Sequence, residues 1–463
     1  LFLFLFWEAT AFCSYALISF YNDDPRAVAA GLKALIITQL GGVGLLVGVL
    51  MASAYLPDLQ VSTLLASFGD LPAGTLAVVA FGFLLAAMAK SAQAPLHIWL
   101  PDAMEAPTPV SALIHAATMV TAGVYLLARF YPAFAGVEGW TTAVVIVGLA
   151  SALLGGVLAT TCNDLKRTLA YSTVSQLGFM VTGVGLGAIF ESQFYLLSHA
   201  IFKALLFLGA GAIIHAVGTR DMRQMGGLWG RMRVVSVCFL IGAAALMGLP
   251  FFNGFWSKEI LLETALEQNP AVFLALLLGA ALTAFYAVRM CWLVFFRQPE
   301  AAAATSHAHA DGHAQVSPFM VGPLLVLAAG ACLAWLVAEP FARWLATTLP
   351  FHAPYLLPHW PIDEVISLHT ATSIATAIVM TVIVLSALLW AWTERRTAGR
   401  SAVSRAIEAT EAFFNGSATV VAGATRGTAA LLQKTQTGQL NWNLVGLALF
   451  AMAMLLLVLL GVI

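Results

Sequence analysis

The strongest constraint on this chain is the recurrence of long apolar runs. A helical bilayer crossing takes about 20 predominantly apolar residues. Twelve segments read as candidate spans: 1–20, 27–54, 71–100, 108–131, 141–161, 169–189, 194–217, 234–262, 271–296, 318–338, 365–392 and 444–463. A closed barrel would show short stretches of alternating polarity. These runs are long and do not alternate, so they read as helices. Only 9% of the 463 residues are charged and 61% are hydrophobic. Soluble domains carry about 25% charged residues, which excludes a water-soluble fold and a disordered chain. The sequence predicts an all-α integral membrane protein.

The loops alternate in sign. Arg26, then Lys166 and Arg167, then Arg220, Arg223, Arg231 and Arg233, then Arg297, and finally Arg395, Arg396, Arg400 and Arg405 follow the first, fifth, seventh, ninth and eleventh spans. The even loops are neutral or acidic, as at Asp58, Glu191, Glu263 and Glu267. The positive-inside rule places the odd loops on the cytoplasmic side and both chain ends outside. Leu1 already lies in an apolar run, with no Met and no basic region before it, so a signal peptide is not expected. The numbering reads as starting partway through a longer chain. Residues 301–314 are rich in Ala and His and read as a loop. Residues 393–441 are too polar to cross and are expected to lie along the cytoplasmic surface as a lateral amphipathic segment. Wholly helical, it would reach roughly 70 Å, but Gly399, Gly416, Gly423, Gly427 and Gly438 argue against one straight rod.

The charges that remain are in costly places. Four of the six lysines, Lys33, Lys90, Lys203 and Lys258, fall inside apolar segments, and Glu8 is the one acid clearly inside such a run. A charge at the bilayer centre costs about 2.5–3.5 kcal/mol on insertion scales. Lys90 is followed by Pro95, and Lys258 follows Pro250 and Gly254. Both lie in segments long enough to hold a break and still cross. Two interrupted segments at matching positions point to inverted repeats with sites at the breaks. These are the third and eighth spans, so the repeat is of five helices. Tyr195, His199 and Lys203 are spaced by four and share one helix face. His115 follows the Pro107-Thr108-Pro109 turn. Together with ordered water these residues suggest a proton relay. Two unit charges 4 Å apart interact by about 4 kcal/mol at an effective dielectric of 20. A carboxylate moving toward or away from a buried ammonium would therefore load or unload a proton. Sodium prefers carboxylate and carbonyl oxygens, and the spans offer few acids.

Other signals carry less. Cys13, Cys162, Cys238, Cys291 and Cys332 are scattered singly, without the spacing of an iron–sulfur or zinc site. Gly183-Val184-Gly185-Leu186-Gly187-Ala188 fits a dinucleotide pattern, but it lies in an apolar span with no strand before it, which points to small-residue helix packing. His307, His309 and His313 read as part of a loop rather than a metal site. Arg289 either reaches the cytoplasmic end of its helix or joins the exit route. The net charge of -1 gives no field for nucleic acid.

Longer motifs carry a resemblance. The stretch from Lys90-Ser91-Ala92-Gln93-Ala94-Pro95-Leu96-His97 through Pro107-Thr108-Pro109 to His115-Ala116-Ala117-Thr118-Met119-Val120 closely resembles the antiporter-like family. That family contains the distal proton-pumping subunit of respiratory complex I (L-type, chain 5) and the large subunit of Mrp-type sodium/proton antiporters. The resemblance continues at Asp164-Leu165-Lys166-Arg167, Tyr171-Ser172-Thr173-Val174-Ser175-Gln176-Leu177-Gly178, Ser198-His199-Ala200-Ile201-Phe202-Lys203 and Asn253-Gly254-Phe255-Trp256-Ser257-Lys258-Glu259. It is dense from residue 6 to about 296 and thin afterwards.

The resemblance implies roles for matching residues. Glu8 would pair with Lys90, the lysine of the first broken helix. Lys203 would be the central lysine, Lys258 the lysine of the second broken helix on the exit route, and His115 and His199 relay histidines. Lys33, Tyr195, Glu259 and Arg289 would be accessory. The first span looks like the family's fifth helix, so about four helices would precede it. Three features depart from the complex I pattern. Position 195 is Tyr where many members have a second histidine, Gln39 and Gly42 stand where many have Arg and Asp, and the lateral segment is shorter than the longest versions. Thr121, where the Mrp pattern usually has Lys, favours complex I.

The expectation is a first repeat over 1–131 lacking its N-terminal helices, a second over 132–297, peripheral helices over 298–392, the lateral segment over 393–441 and an anchor over 442–463. The implied function is proton translocation as one subunit of an NADH:quinone oxidoreductase, in a bacterial cytoplasmic membrane. No cofactor is expected in this chain; NAD, FMN, iron–sulfur centres and quinone would belong to partner subunits. The other partners would be antiporter-like membrane subunits and the lipid bilayer. Sodium/proton exchange in an Mrp-type assembly or a related membrane hydrogenase is the alternative.

Overall fold

The computed structural model describes residues 2–56, 58–297, 316–348 and 374–394. Their regular structure is helical, apart from an isolated bridge between Asp164 and Asp221. The helices are α1 (Phe2–Ile18), α2 (Pro25–Ser53), α3 (Val61–Ser67), α4 (Ala73–Lys90), α5 (Trp99–Asp102), α6 (Thr108–Ala116), α7 (Ala122–Phe134), α8 (Trp140–Thr161), α9 (Leu165–Gly185) and α10 (Ile189–Val217). They continue as α11 (Leu228–Arg231), α12 (Arg233–Met247), α13 (Asn253–Gln268), α14 (Pro270–Cys291), α15 (Pro318–Leu333), α16 (Ala338–Thr348) and α17 (Ile374–Glu394). The twelfth expected span, nearly all of the lateral segment, and His307, His309 and His313 lie outside the described residues.

Among the described residues, six helical stretches are long and apolar enough to cross a membrane: Pro25–Ser53, Ala73–Lys90, Trp140–Thr161, Ile189–Val217, Pro270–Phe296 and Pro318–Ala346. The omission of α9 is informative. Nearly every residue of α9 is buried, including Lys166, Ser172, Thr173, Ser175, Gln176 and Thr182. It packs against α8, α10, α7 and α14. A helix enclosed by other helices does not need an apolar surface; it can carry polar groups if they find partners. Polar α13 is buried in the same way, against α10, α12 and α14.

Three span ends differ from the sequence reading, each for a local reason. Helix α9 starts at Leu165, four residues before the expected 169, because Asp164 accepts from the Arg167 backbone N–H and caps it. Glu191 is not a loop acid; it sits in the first turn of α10 and is buried. Glu263 likewise belongs to α13 and is buried.

Both expected breaks are present. Helix α4 ends at Lys90, and short helical turns over Leu96–Ile98, Trp99–Asp102 and Ala103–Glu105 follow. The Trp99 indole donates to the Ala89 carbonyl at 2.9 Å, satisfying an acceptor that the helix end leaves open. Helix α12 ends at Met247, where Gly248 takes a left-handed conformation (φ 84°) and its N–H closes back on Ala244 and Ala245. Helix α13 resumes at Asn253. A third break was not foreseen: the expected fourth span is interrupted between α6 and α7. There the Thr118 hydroxyl donates to the Leu113 carbonyl at 2.7 Å and supplies a partner that the ended helix lacks.

Candidate functional site

Two of the buried lysines, Lys90 and Lys258, lie at these breaks. Lys90 ends α4, is 1% exposed, and donates to the Trp7 carbonyl of α1 at 2.6 Å. A cation at a helix C-terminus is favoured by the carbonyls left unpaired there. Its ammonium also lies 5.0 Å from the Trp7 ring centroid, in cation–π range. Lys90 and Gln39 flank the Glu8 carboxylate. Yet both Glu8 oxygens are buried without a hydrogen-bond partner among the described residues. The lysine ammonium thus engages a carbonyl, while the carboxylate has Lys90 and the Gln39 side chain beside it. Gly42 makes room for that carboxylate, since a Cβ there would collide with it.

The centre of the row is formed by α6, α9 and α10. His115 in the last turn of α6 and His199 on α10 are completely buried, and the His115 ring has no hydrogen-bond partner on either nitrogen among the described residues. They are near enough to act on each other electrostatically, and His199 lies beside the Ala116 backbone. His115 packs on Phe207 at 4.7 Å between ring centroids. Buried nitrogens of this kind ordinarily find ordered water. Lys203, one turn along α10 from His199, donates to Ser172 Oγ at 2.7 Å and to the Leu169 carbonyl at 3.1 Å, both on α9.

Lys258 on α13 reaches back across the second break. It donates to the Leu246 carbonyl at 2.8 Å and lies 3.5 Å from the Met247 carbonyl, at the open end of α12. Its ammonium sits 5.7 Å from the Phe179 ring and 5.9 Å from that of Tyr195. Glu259 is buried beside it, facing Thr376 of α17 and Glu263.

Two expected accessory residues are not in this row. Lys33 pairs with Asp102 at 2.8 Å, and Asp102 also receives Arg167 at 2.5 Å. Arg289 donates to the Cys162 carbonyl at 2.7 Å and to Asn163 Oδ1 at 2.5 Å. Of its two sequence readings, the helix-end placement matches this geometry. These residues belong to an end-face network in which Arg220 binds Glu105 at 3.1 Å and Asp164 at 3.3 Å. There Lys166 is buried and donates to the Met104 and Ala106 carbonyls at 2.8 and 2.6 Å.

Sequence reasoning missed the polar link between Lys203 and Tyr195. Ser172 Oγ lies 2.9 Å from the Tyr286 hydroxyl. Gln176 donates to Tyr286 at 3.4 Å and to Thr283 at 3.2 Å, and accepts from the Tyr195 hydroxyl. The available signal was spacing: Ser172 and Gln176 are four apart on α9, and Thr283 and Tyr286 three apart on α14.

A bundle of long apolar helices with Lys90 and Lys258 buried at its breaks and Lys203 buried within α10 defines a multi-pass membrane protein. The chain belongs to the NADH:quinone oxidoreductase/Mrp antiporter transmembrane family, whose model matches residues 1–283. It is 42% identical over 369 residues to the NAD(P)H-quinone oxidoreductase chain 5 of Picosynechococcus sp., covering 73% of this chain and 56% of that protein. It is 41% identical over 331 residues to the NADH-quinone oxidoreductase subunit L of Neisseria meningitidis serogroup B, covering 68% of this chain and 49% of the relative. The chain thus spans about half the length of the curated relatives it matches. Among solved structures, the Mrp complex from Dietzia sp. superposes with a TM-score of 0.73 at 27% identity, over 99% of this chain and 49% of the other.

Proposed function

We propose that this chain translocates protons along its buried row as a membrane subunit of a complex I-type NADH:quinone oxidoreductase. The observation that carries the reading is the row itself. Lys90, Lys203 and Lys258 are each at most 2% exposed, on three helices, with two buried histidines alongside the central one. A static scaffold has no use for charges this costly. The relatives at about 40% identity, named as NAD(P)H-quinone oxidoreductase chain 5 and NADH-quinone oxidoreductase subunit L, support it.

In this reading a proton enters from the cytoplasmic side near Lys90. Glu8, approaching or leaving, tunes how firmly that lysine holds it. The proton passes by water to His115, His199 and Lys203, then to Lys258, with Glu259 beside it, and leaves on the other side. The fold would be two inverted five-helix repeats, over 1–131 and 132–297, in a bacterial cytoplasmic membrane. Redox chemistry with NAD, FMN, iron–sulfur centres and quinone would lie in partner subunits, and further antiporter-like subunits would flank this one.

The test is the Lys203→Ala variant in the assembled complex, reconstituted into liposomes. Loss of proton pumping with the complex still assembled is expected; pumping at the wild-type rate would refute the path. The likeness to the Mrp complex supports cation/proton exchange as a second reading. Mass spectrometry of the native complex separates the two: iron–sulfur subunits alongside this chain favour the first, antiporter subunits alone the second.

A further inference from the structure

From Lys203 a hydrogen-bonded polar chain runs to Tyr195, whose ring faces Lys258, and one of its inner members cannot carry a proton. Lys203, Ser172, Tyr286, Gln176 and Tyr195 are all 0% exposed, and Lys258 lies over the Tyr195 ring. The hydroxyls at the Lys203 end can reverse. When Lys203 is an ammonium it donates to Ser172, which can donate in turn to Tyr286; when it is an amine it can accept from Ser172.

Gln176 ends that freedom. The Thr283 hydroxyl donates to the Gly279 carbonyl at 2.8 Å, so its oxygen is left to accept from Gln176. That requirement turns the amide nitrogen toward Thr283 and Tyr286 and the amide oxygen toward Tyr195. The Tyr195 hydroxyl then has to donate to Gln176, and its proton is committed. A hydroxyl, imidazole or carboxyl can take a proton on one side and release one on the other. A neutral amide cannot do so without isomerising to its imidic form.

We propose that Gln176 is an insulating link: it joins the Lys203 end of the chain to Tyr195, beside Lys258, while blocking proton passage through the hydroxyls. The proton then passes between the two lysines only through water admitted during turnover. This rests on proton translocation as the function of the row. A pump needs such a block, because an unbroken wire between entry and exit would dissipate the gradient it builds.

The test is passive proton conductance of the full complex in liposomes under an imposed pH gradient, without turnover. Gln176→Glu and Gln176→His introduce groups that relay protons. Each is expected to raise the passive conductance by about tenfold or more, as a positioned acid–base group accelerates proton transfer. Gln176→Met has similar bulk and no proton to exchange, and is expected to stay at the wild-type level. The leak of Gln176→Glu is expected to vanish when Lys203→Ala is added. Wild-type tightness in both relay variants overturns the proposal, as does a Met variant that leaks as much as the Glu variant. If Lys203→Ala alone pumps normally, the functional reading fails. If it abolishes pumping while the relay variants stay tight, only the insulating role fails.

Discussion

Glu8 and Gly42 illustrate how single residues set this site. The Glu8 carboxylate occupies space that exists because position 42 has no side chain. Gly42→Ala would force the carboxylate aside, at a cost of about 1–3 kcal/mol typical of overpacking. Its flexible stem allows the displacement, so assembly should survive while pumping falls severalfold through the altered Glu8–Lys90 approach. The control is Gly69→Ala, where an added Cβ meets nothing within 4 Å; equal loss of pumping in both variants would dismiss the role of Gly42. At this scale the sequence was readable where a residue was out of place. Lysines in apolar runs are conspicuous, so Lys90, Lys203 and Lys258 could be found. Lys33 looked the same, but its partner Asp102 lies 69 positions away and no local pattern announces the pair. Ser172, Gln176, Thr283 and Tyr286 were overlooked because polar uncharged residues are ordinary in membrane helices; only the packing of α9 on α14 makes them a chain.

Helices α8 and α9 pack through small residues. A Cβ at Gly178 would run into backbone, with Gly148 O at 2.6 Å and the Ala152 N–H nearer still, and backbone cannot rotate away as a side-chain tip can. Gly178→Val should therefore cost more than about 3 kcal/mol and prevent assembly, read as loss of the subunit from purified membranes. A normally assembled variant would show that α8 and α9 can separate without harm. Since α9 carries the Lys203 partners Leu169 and Ser172, its seating also decides where that ammonium points. The element scale was partly legible. Prolines and glycines mark the interruptions after Lys90 and before Lys258. Residues 117–121, between α6 and α7, contain neither, so that break had no local sign. The limits of α9 were misjudged because hydropathy measures exposure to lipid, and α9 is shielded from lipid by its neighbours.

Across the described residues the cations differ in the partners they find. Interior lysines bind carbonyls and hydroxyls, which hold an ammonium without neutralising it and leave it able to respond to a proton. At the end face, Lys33 and Arg167 instead pair with Asp102, and Arg220 with Glu105 and Asp164, while Lys166 and Arg289 bind carbonyl and amide oxygens. These pairs tie together residues near 33, 102–105, 164–167 and 220, and so hold the open end of the first break against the start of α9. Asp102 is 31% exposed and its two partners, Lys33 and Arg167, are 22% and 39% exposed, so water screens them. Asp102→Asn is therefore expected to lower stability by only about 1 kcal/mol, seen as a small drop in the thermal midpoint of the solubilised complex. Added salt should narrow the difference from wild type, and pumping should persist, because no interior lysine loses a partner. Abolished pumping with an unchanged midpoint would instead place Asp102 on the proton path and join the end-face network to the buried row.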